Sequence, residues 1–257
     1  MNPAQLKEGL EYTENNYNAK NGFSKLDKEI LQSRFELEGK DVLEFGCGMG
    51  HMSLWLALEM KANVDAVDID ENHITVARQF TSKFNAPGLT FSLRNIITEP
   101  IDKQYDFIIL NDVIEHIRID WIENVLDILV MHNLKPGGII FFSYPPWAGP
   151  HASHLQPVTR LPWVQFLPDS YIINMVRKRN QQLVGKHDLL TEYQELNHMT
   201  NRKLQRFLKK YPLKQVFRKS HTKLNKLAPI RDINFNFFPF SFIVTKELIA
   251  FQKAGGA

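Results

Sequence analysis

Cysteine is almost absent from this 257-residue chain, Cys47 being the single one, which excludes an intramolecular disulfide and a cysteine-rich metal centre and suits a reducing compartment. No stretch of about 18 uncharged apolar residues occurs, so no membrane-spanning helix is predicted. The N-terminal MNPAQLKEGLEYTENNYN lacks the apolar core of a secretion signal, and the expected location is the cytoplasm. Internal repeats and low-complexity tracts are missing as well. What remains, 44% hydrophobic residues in 257, suffices for one sizeable α/β unit with an insertion, not for two full domains.

The net charge of +3 conceals an imbalance. Residues 1–168 carry 14 Lys and Arg against 22 Asp and Glu, whereas 169–257 carry 17 against 6. A basic C-terminal part attracts anionic substrates, phospholipid or nucleic acid, although a solvated face is the simplest account.

Strand and helix signals alternate through residue 143, the pattern of a parallel sheet with crossover helices. Strands are predicted at 41–45, 63–68, 89–93, 105–110 and 138–143, with helices at 51–61, 71–84 and 121–131 between them. Lys135-Pro136-Gly137-Gly138 is a turn signal before the fifth strand. Beyond Ser143 the rhythm breaks into a proline-rich stretch, Tyr144-Pro145-Pro146-Trp147 and onward to Pro168, that fits neither helix nor central strand. Helices at 169–182 and 200–210 and strands at 213–219 and 248–253 follow, with the run Phe235, Phe237, Phe238, Phe240, Phe242 expected to be hairpin or core packing.

The run Val42-Leu43-Glu44-Phe45-Gly46-Cys47-Gly48-Met49-Gly50 joins an apolar strand to glycines at alternate positions. Glycine admits positive φ and close approach of a ligand, and a helix from His51 would add its N-terminal amides. A dinucleotide fingerprint needs a third glycine at 51, where His51 stands, which weakens a dehydrogenase reading. Asp68 ends the second strand, where a carboxylate can accept from two ribose hydroxyls, while Asp70 is placed as the N-cap of the next helix.

These stretches resemble the class I S-adenosylmethionine-dependent methyltransferases, and Asn111-Asp112-Val113-Ile114-Glu115-His116 is similar to the post-strand-four motif of their ubiquinone-type O-methyltransferase branch. The resemblance implies a doubly wound, Rossmann-like α/β fold with seven strands, the last antiparallel, and a Pro-rich insertion after strand 5. It implies one domain over 1–257: N-terminal helices or lid at 1–38, cofactor core at 39–143, substrate-side insertion at 144–212 and closing strands at 213–257. The implied cofactor is S-adenosyl-L-methionine, leaving as S-adenosyl-L-homocysteine, with contacts from Glu44, Gly46, Cys47, Gly48 and Gly50, from Asp68 and Ile69, from Asn95 and Ile96, and from Asn111, Asp112 and Val113. Asn95 departs from the usual Asp at the adenine contact and can accept there only through its amide oxygen.

His116, His151 and His154 are the candidates for a general base toward a hydroxyl acceptor. Asp112, Glu115 and His116 share the spacing with which RNA 2′-O-methyltransferases of the small-RNA type hold a divalent metal together with a later histidine. Asp stands here for Glu and the other signatures of that family are not evident, so no metal is assigned. The expected activity is methylation of an oxygen on a small molecule, sugar or lipid-linked acceptor, with RNA methylation and a non-catalytic cofactor-binding protein as alternatives. The oligomeric state is open.

Overall fold

The computed structural model describes residues 1–18, 23–180, 189–227, 229, 233–235 and 237–255. Two N-terminal helices, α1 (Pro3–Tyr17) and α2 (Phe23–Arg34), precede the alternation β1 (Asp41–Phe45), α3 (His51–Leu58), β2 (Asn63–Asp68), α4 (Glu71–Thr81), β3 (Leu89–Leu93), β4 (Tyr105–Asn111), α5 (Ile122–Leu126) and β5 (Leu134–Tyr144). Then come α6 (Asp169–Asn180), α7 (Leu189–Glu195), α8 (Asn201–Leu208), β6 (Leu213–Thr222) and β7 (Val244–Lys253). Local chemistry sets several starts. Asn2 and Gln5 form a reciprocal capping box around Pro3, Asp70 caps α4 by accepting from Asn72 and His73, and the Thr200 hydroxyl accepts from Lys203 N.

The seven strands lie in the order β3-β2-β1-β4-β5-β7-β6, with β7 antiparallel to both of its neighbours and the rest parallel. The order reverses between β1 and β4, so the crevice at the C-terminal ends of those strands is where an open α/β sheet receives ligands. Residues of period two divide the core. Val42, Phe107 and Ile109 face the layer built by α2, α3 and α4, whereas Leu43, Ile108 and Leu110 face the layer of α5 and α8. The stretch after β5 has a small core of its own, with Leu155, Val158 and Val164 against Ile172 and Val176 of α6 and Leu189 and Tyr193 of α7. No helix among the described residues is long and apolar enough to cross a membrane.

Several boundaries differ from the expectations for physical reasons. α3 stops at Leu58 because the chain turns back at Lys61 with φ of 53°. The third predicted helix is short α5 followed by a π-helical turn over Asp127–Asn133. β5 begins four residues earlier than its turn signal suggests, because Leu134 already pairs with Tyr105 and a bulge at Tyr105/Phe107, with Gly137 at φ of 77°, absorbs the turn inside the strand. α7 has no counterpart among the expectations, and Gln181 and Gln182, assigned to the preceding helix, lie outside the described residues. The Phe run divides: Phe235 is buried, whereas Phe237, Phe238 and Phe242 are exposed.

The deepest charge is Lys246 on β7, 1% exposed, which donates to Asp27 of α2 at 2.7 Å and to Asp112 after β4 at 2.8 Å. The Ser143 hydroxyl at the end of β5 donates to the other Asp27 oxygen at 2.8 Å. Burial alone would strip the Lys246 proton, but the two carboxylates hold it on, while burial outweighs Lys246 and raises Asp27 to about 6. Lys246→Ala leaves a buried carboxylate without its cation and is expected to cost about 3–5 kcal/mol in urea denaturation. Adding Asp27→Asn should recover part of that loss, and a double variant no more stable than the single one would refute the pairing argument.

Candidate functional site

The loop after β1 is fixed by backbone bonds. Gly46 N and Cys47 N both donate to Val67 O, at 2.8 and 3.0 Å, and Gly48 N donates to an Asp68 carboxylate oxygen at 2.7 Å. All three glycines have positive φ, yet they serve different ends. A Cβ on Gly46 would lie 2.5 Å from Val113, and one on Gly50 would meet Ala77 and Phe91 at 2.8 and 2.9 Å, so both are required by packing within the protein. A Cβ on Gly48 would meet nothing within 4 Å. Of the three, only Gly48 faces open space.

Beneath this loop Glu44 is buried and accepts from the Ser53 hydroxyl of α3. Burial raises its pKa to about 8, with nearby Asp68 adding to the rise, so the side chain is a neutral acid at pH 7. Asp68 has the opposite fate. Burial would raise it, but hydrogen bonds from His73, Asp70 N and Gly48 N outweigh that and lower it. Ile69 beside it is 73% exposed, an apolar face standing next to the charged carboxylate. Ile96 is buried, and the Asn95 amide oxygen accepts from Ile97 N at 3.0 Å, closing a local turn. The oxygen expected to accept from a ligand is thus engaged within the chain, which leaves the amide nitrogen as the freer end.

At the end of β4, Asp112 takes φ of 54°, its amide donates to Ser143 O at 2.7 Å, and its carboxylate is held by Lys246. The buried Asn111 amide oxygen has no partner, and Val113 packs on Gly46. Three of the sequence-selected positions therefore line one crevice with Gly48 and Asp68.

Next to it, the His116 and His154 rings meet edge to face, centroids 4.8 Å apart. His154 Nδ1 lies 3.3 Å from a Glu192 oxygen of α7, and its Nε2 lies 3.9 Å from a Glu115 oxygen. Burial would lower His154, but Glu192 and Glu115 outweigh it and raise its pKa, whereas burial, seconded by His154, lowers His116 to about 4. Glu115 is buried with neither carboxyl oxygen hydrogen-bonded, and burial raises it to about 8. Ligand atoms of Glu115, His116 and His154 all lie within 4.8 Å of one another, a spacing that suits a shared proton or a shared cation. Asp112, the other acid of the sequence spacing, is drawn off by Lys246.

His151 is not part of this group: burial and then Lys223 lower its pKa, and none of the carboxylates acts on it. Tyr12 of α1 enters the field from above. Much of its ring stays exposed, but burial and then Asp112 raise its hydroxyl. Sequence reasoning did not find Glu192, Lys246 or Asp27 as site residues. A lysine and a glutamate inside the apolar run of β7 were a visible signal for Lys246; nothing local marks Glu192.

A protein-family model described as "Methyltransferase domain" matches residues 19–216. The ubiquinone biosynthesis O-methyltransferase of Pseudomonas syringae pv. tomato is 30% identical over 118 residues, 44% of this chain and 47% of that protein. Its namesake from Rickettsia bellii is 30% identical over 119 residues, 45% and 46%. The chain thus matches about half the length of these curated relatives. Among solved structures, the PH0226 protein from Pyrococcus horikoshii superposes with a TM-score of 0.60 at 16% identity, over 95% of this chain and 98% of that one. The N-methyltransferase NodS from Bradyrhizobium japonicum, crystallised with S-adenosyl-L-homocysteine, does so with 0.56 at 15%, again over 95% and 98%. At such identities these two likenesses speak for the fold.

The neutral Glu44 gives a pH test on ligand-free protein. Its folded pKa of about 8 lies above the 4.5 of an ordinary Glu, so the folded state keeps the extra proton and stability is lost as pH rises through that window. Thermal melts from about pH 5 to about pH 9 should therefore show the wild type falling relative to Glu44→Gln. A difference that stays flat with pH would mean that Glu44 is charged in the folded state.

Proposed function

The chain belongs to the methyltransferase-domain family, and on that premise we propose that it is an S-adenosylmethionine-dependent methyltransferase acting on an oxygen of a small molecule. The observation that carries the reading is the open position at Gly48 beside a charged Asp68, at the point where the strand order reverses. The crevice fits the cofactor. Asp68 can accept from ribose hydroxyls, exposed Ile69 can cover an adenine face, and the unpartnered Asn111 oxygen can accept from the methionine amine. Gly46, Cys47, Gly48 and Gly50 shape the loop, Glu44 supports it from below, the Asn95 amide and Ile96 backbone border the adenine side, and Asp112 and Val113 border the methionine side. In this division residues 1–38 are the lid, 39–143 the cofactor core, 144–212 the acceptor side and 213–257 the closing strands.

Bound there, S-adenosylmethionine supplies a methyl group already activated by its sulfonium. The chain's own tasks are to align an acceptor, exclude water and take up a proton. His154 is the base in this reading. Glu192 holds its Nδ1, which leaves Nε2 to receive a proton from the acceptor hydroxyl, in the manner of an imidazole oriented by a carboxylate. His116, exposed on its outer side and with its pKa lowered to about 4, lines the acceptor space without repelling the imidazolium that forms. Oxygen as the accepting atom is supported by this histidine pair and by the O-methyltransferase relatives; a sugar or lipid-linked acceptor is the finer form of the proposal.

A second reading rests on the two unpartnered oxygens of Glu115. Glu115, His116 and His154 would then hold a divalent cation that acidifies the acceptor hydroxyl.

Two measurements test these assignments. Titration calorimetry with S-adenosylhomocysteine should show binding to the wild type that weakens roughly tenfold or more in Asp68→Ala, the scale of losing charged hydrogen bonds. Undiminished affinity would remove Asp68 from the site. His154→Ala should lower kcat about a hundredfold or more while that affinity is retained, with the wild-type rate falling as pH drops below the raised His154 pKa. A wild-type rate that disappears on chelation and returns with added magnesium would favour the cation over the base.

A further inference from the structure

The fold leaves large apolar side chains in water on two segments, among them Leu161, Trp163 and Phe166 in the Pro-rich stretch and Phe237, Phe238 and Phe242 between β6 and β7. The segments are fastened together, since the Trp163 indole donates to Phe242 O at 2.9 Å. The exposed rings rest on inner ones. Phe237 packs on Phe240 at 5.3 Å between centroids, Phe240 on buried Phe235 at 5.5 Å, and Phe238 on Phe242 at 6.2 Å. An ordered scaffold thus holds aromatic rings outward, and Phe238 is 80% exposed. Internal packing, the expectation for the Phe run, holds for buried Phe235 and half-buried Phe240 and not for the other three.

Charge accompanies the rings. Arg160 and Arg179, with Leu161 and Tyr171, line an open hollow of about 660 Å³ beside the Pro-rich stretch. Arg177 and Lys178 continue the exposed last turn of α6, and Lys223 stands exposed at the start of the β6–β7 connection. Among the described residues of 156–180 and 221–243, Asp169 is the single acidic side chain. Cations around protruding aromatic rings complement an anionic lipid surface: the rings enter the headgroup–acyl boundary, and the arginines and lysines meet the phosphates. A protein partner needs a matching cavity for each protruding ring, whereas lipid accommodates them without one.

We propose that this face, formed by the 160–167 and 237–242 segments with the basic end of α6, docks the protein on an anionic bilayer surface. The surface adjoins the acceptor side, because Trp163 N donates to Pro150 O at 2.7 Å within the loop that carries His151 and His154. Docking therefore sets the histidine-bearing loop against the membrane, and, where the methyl-transfer reading also holds, an amphiphilic acceptor resident in that surface reaches the site.

The test is flotation of the full chain with vesicles of phosphatidylcholine alone and with about one-third phosphatidylglycerol, read without any activity so that it stands apart from the methyl-transfer reading. Binding is expected to the anionic vesicles and not to the neutral ones. It should weaken about fivefold with Arg160→Gln or Lys223→Gln, the worth of one basic residue near such a surface, and be lost in Phe238→Ser/Phe242→Ser. Circular dichroism and thermal melts check that these variants fold, and Phe238→Ala replaces the double variant if that one does not. Failure to bind either vesicle, or undiminished binding by the Phe variants, overturns the proposal. So does a wild-type dimer that the Phe variants dissociate without vesicle binding, since the face would then be an interface between two copies of the chain.

Discussion

A single buried ammonium holds together parts of the chain that otherwise meet only at its edges. Lys246 brings Asp27 from the N-terminal helices, Asp112 from the end of β4 and, through Asp27, Ser143 from the end of β5 to one point. Asp27 does not tolerate such burial without a cation, nor does the cation without its carboxylates, whereas Asp112 keeps an exposed side and closes the group at the edge of the crevice. The left-handed Asp112 is held from two sides, by its amide on Ser143 and its carboxylate on Lys246. The seat of α2 and the wall of the crevice are in this sense one structure. Burial raises Asp27 to about 6, and the neighbouring Asp112 adds to the rise.

The crevice also shows how environment assigns different states to like side chains. Glu44 and Asp68 stand close enough to influence each other, yet the first is a neutral acid and the second a charged base. Two backbone amides donate to Asp68, with the His73 ring nitrogen 3.5 Å from it, and Glu44 has one hydroxyl. Donor number separates them more than depth does. The histidines divide similarly: His154 has carboxylates near both ring nitrogens, and His116, the more exposed of the two, meets another imidazole.

Much of the α/β core was legible because its signals are local. Alternating Val, Leu, Ile and Phe in β1, β2 and β4, the glycine loop, and Asp70 before α4 each carry their reason within a few residues. The glycines themselves were legible as a loop but not by task, since only the distances to Val113, Ala77 and Phe91 separate packing from ligand approach. The acceptor side resisted for the same cause. Glu192 is placed by α7, a seven-residue helix stabilised by its packing on the insertion core, and the pairing of Lys246 with Asp27 spans 219 residues. The Phe run defeated a period-two argument because its support is ring on ring across a connection, not alternation along a strand.

The position of β7 has a consequence for how the molecule comes into being. The sheet is threaded so that its last strand in sequence is an interior one, lying between β5 and β6. A growing chain must therefore display β6 at a distance from β5 and keep a slot vacant until β7 arrives. That same segment delivers the cation that the two waiting acids require. The crevice at Gly48 and Asp68 can be shaped early, but the wall at Asp112 is set only once β7 has been made. Assembly of that wall thereby depends on the strand that follows every other strand of the sheet.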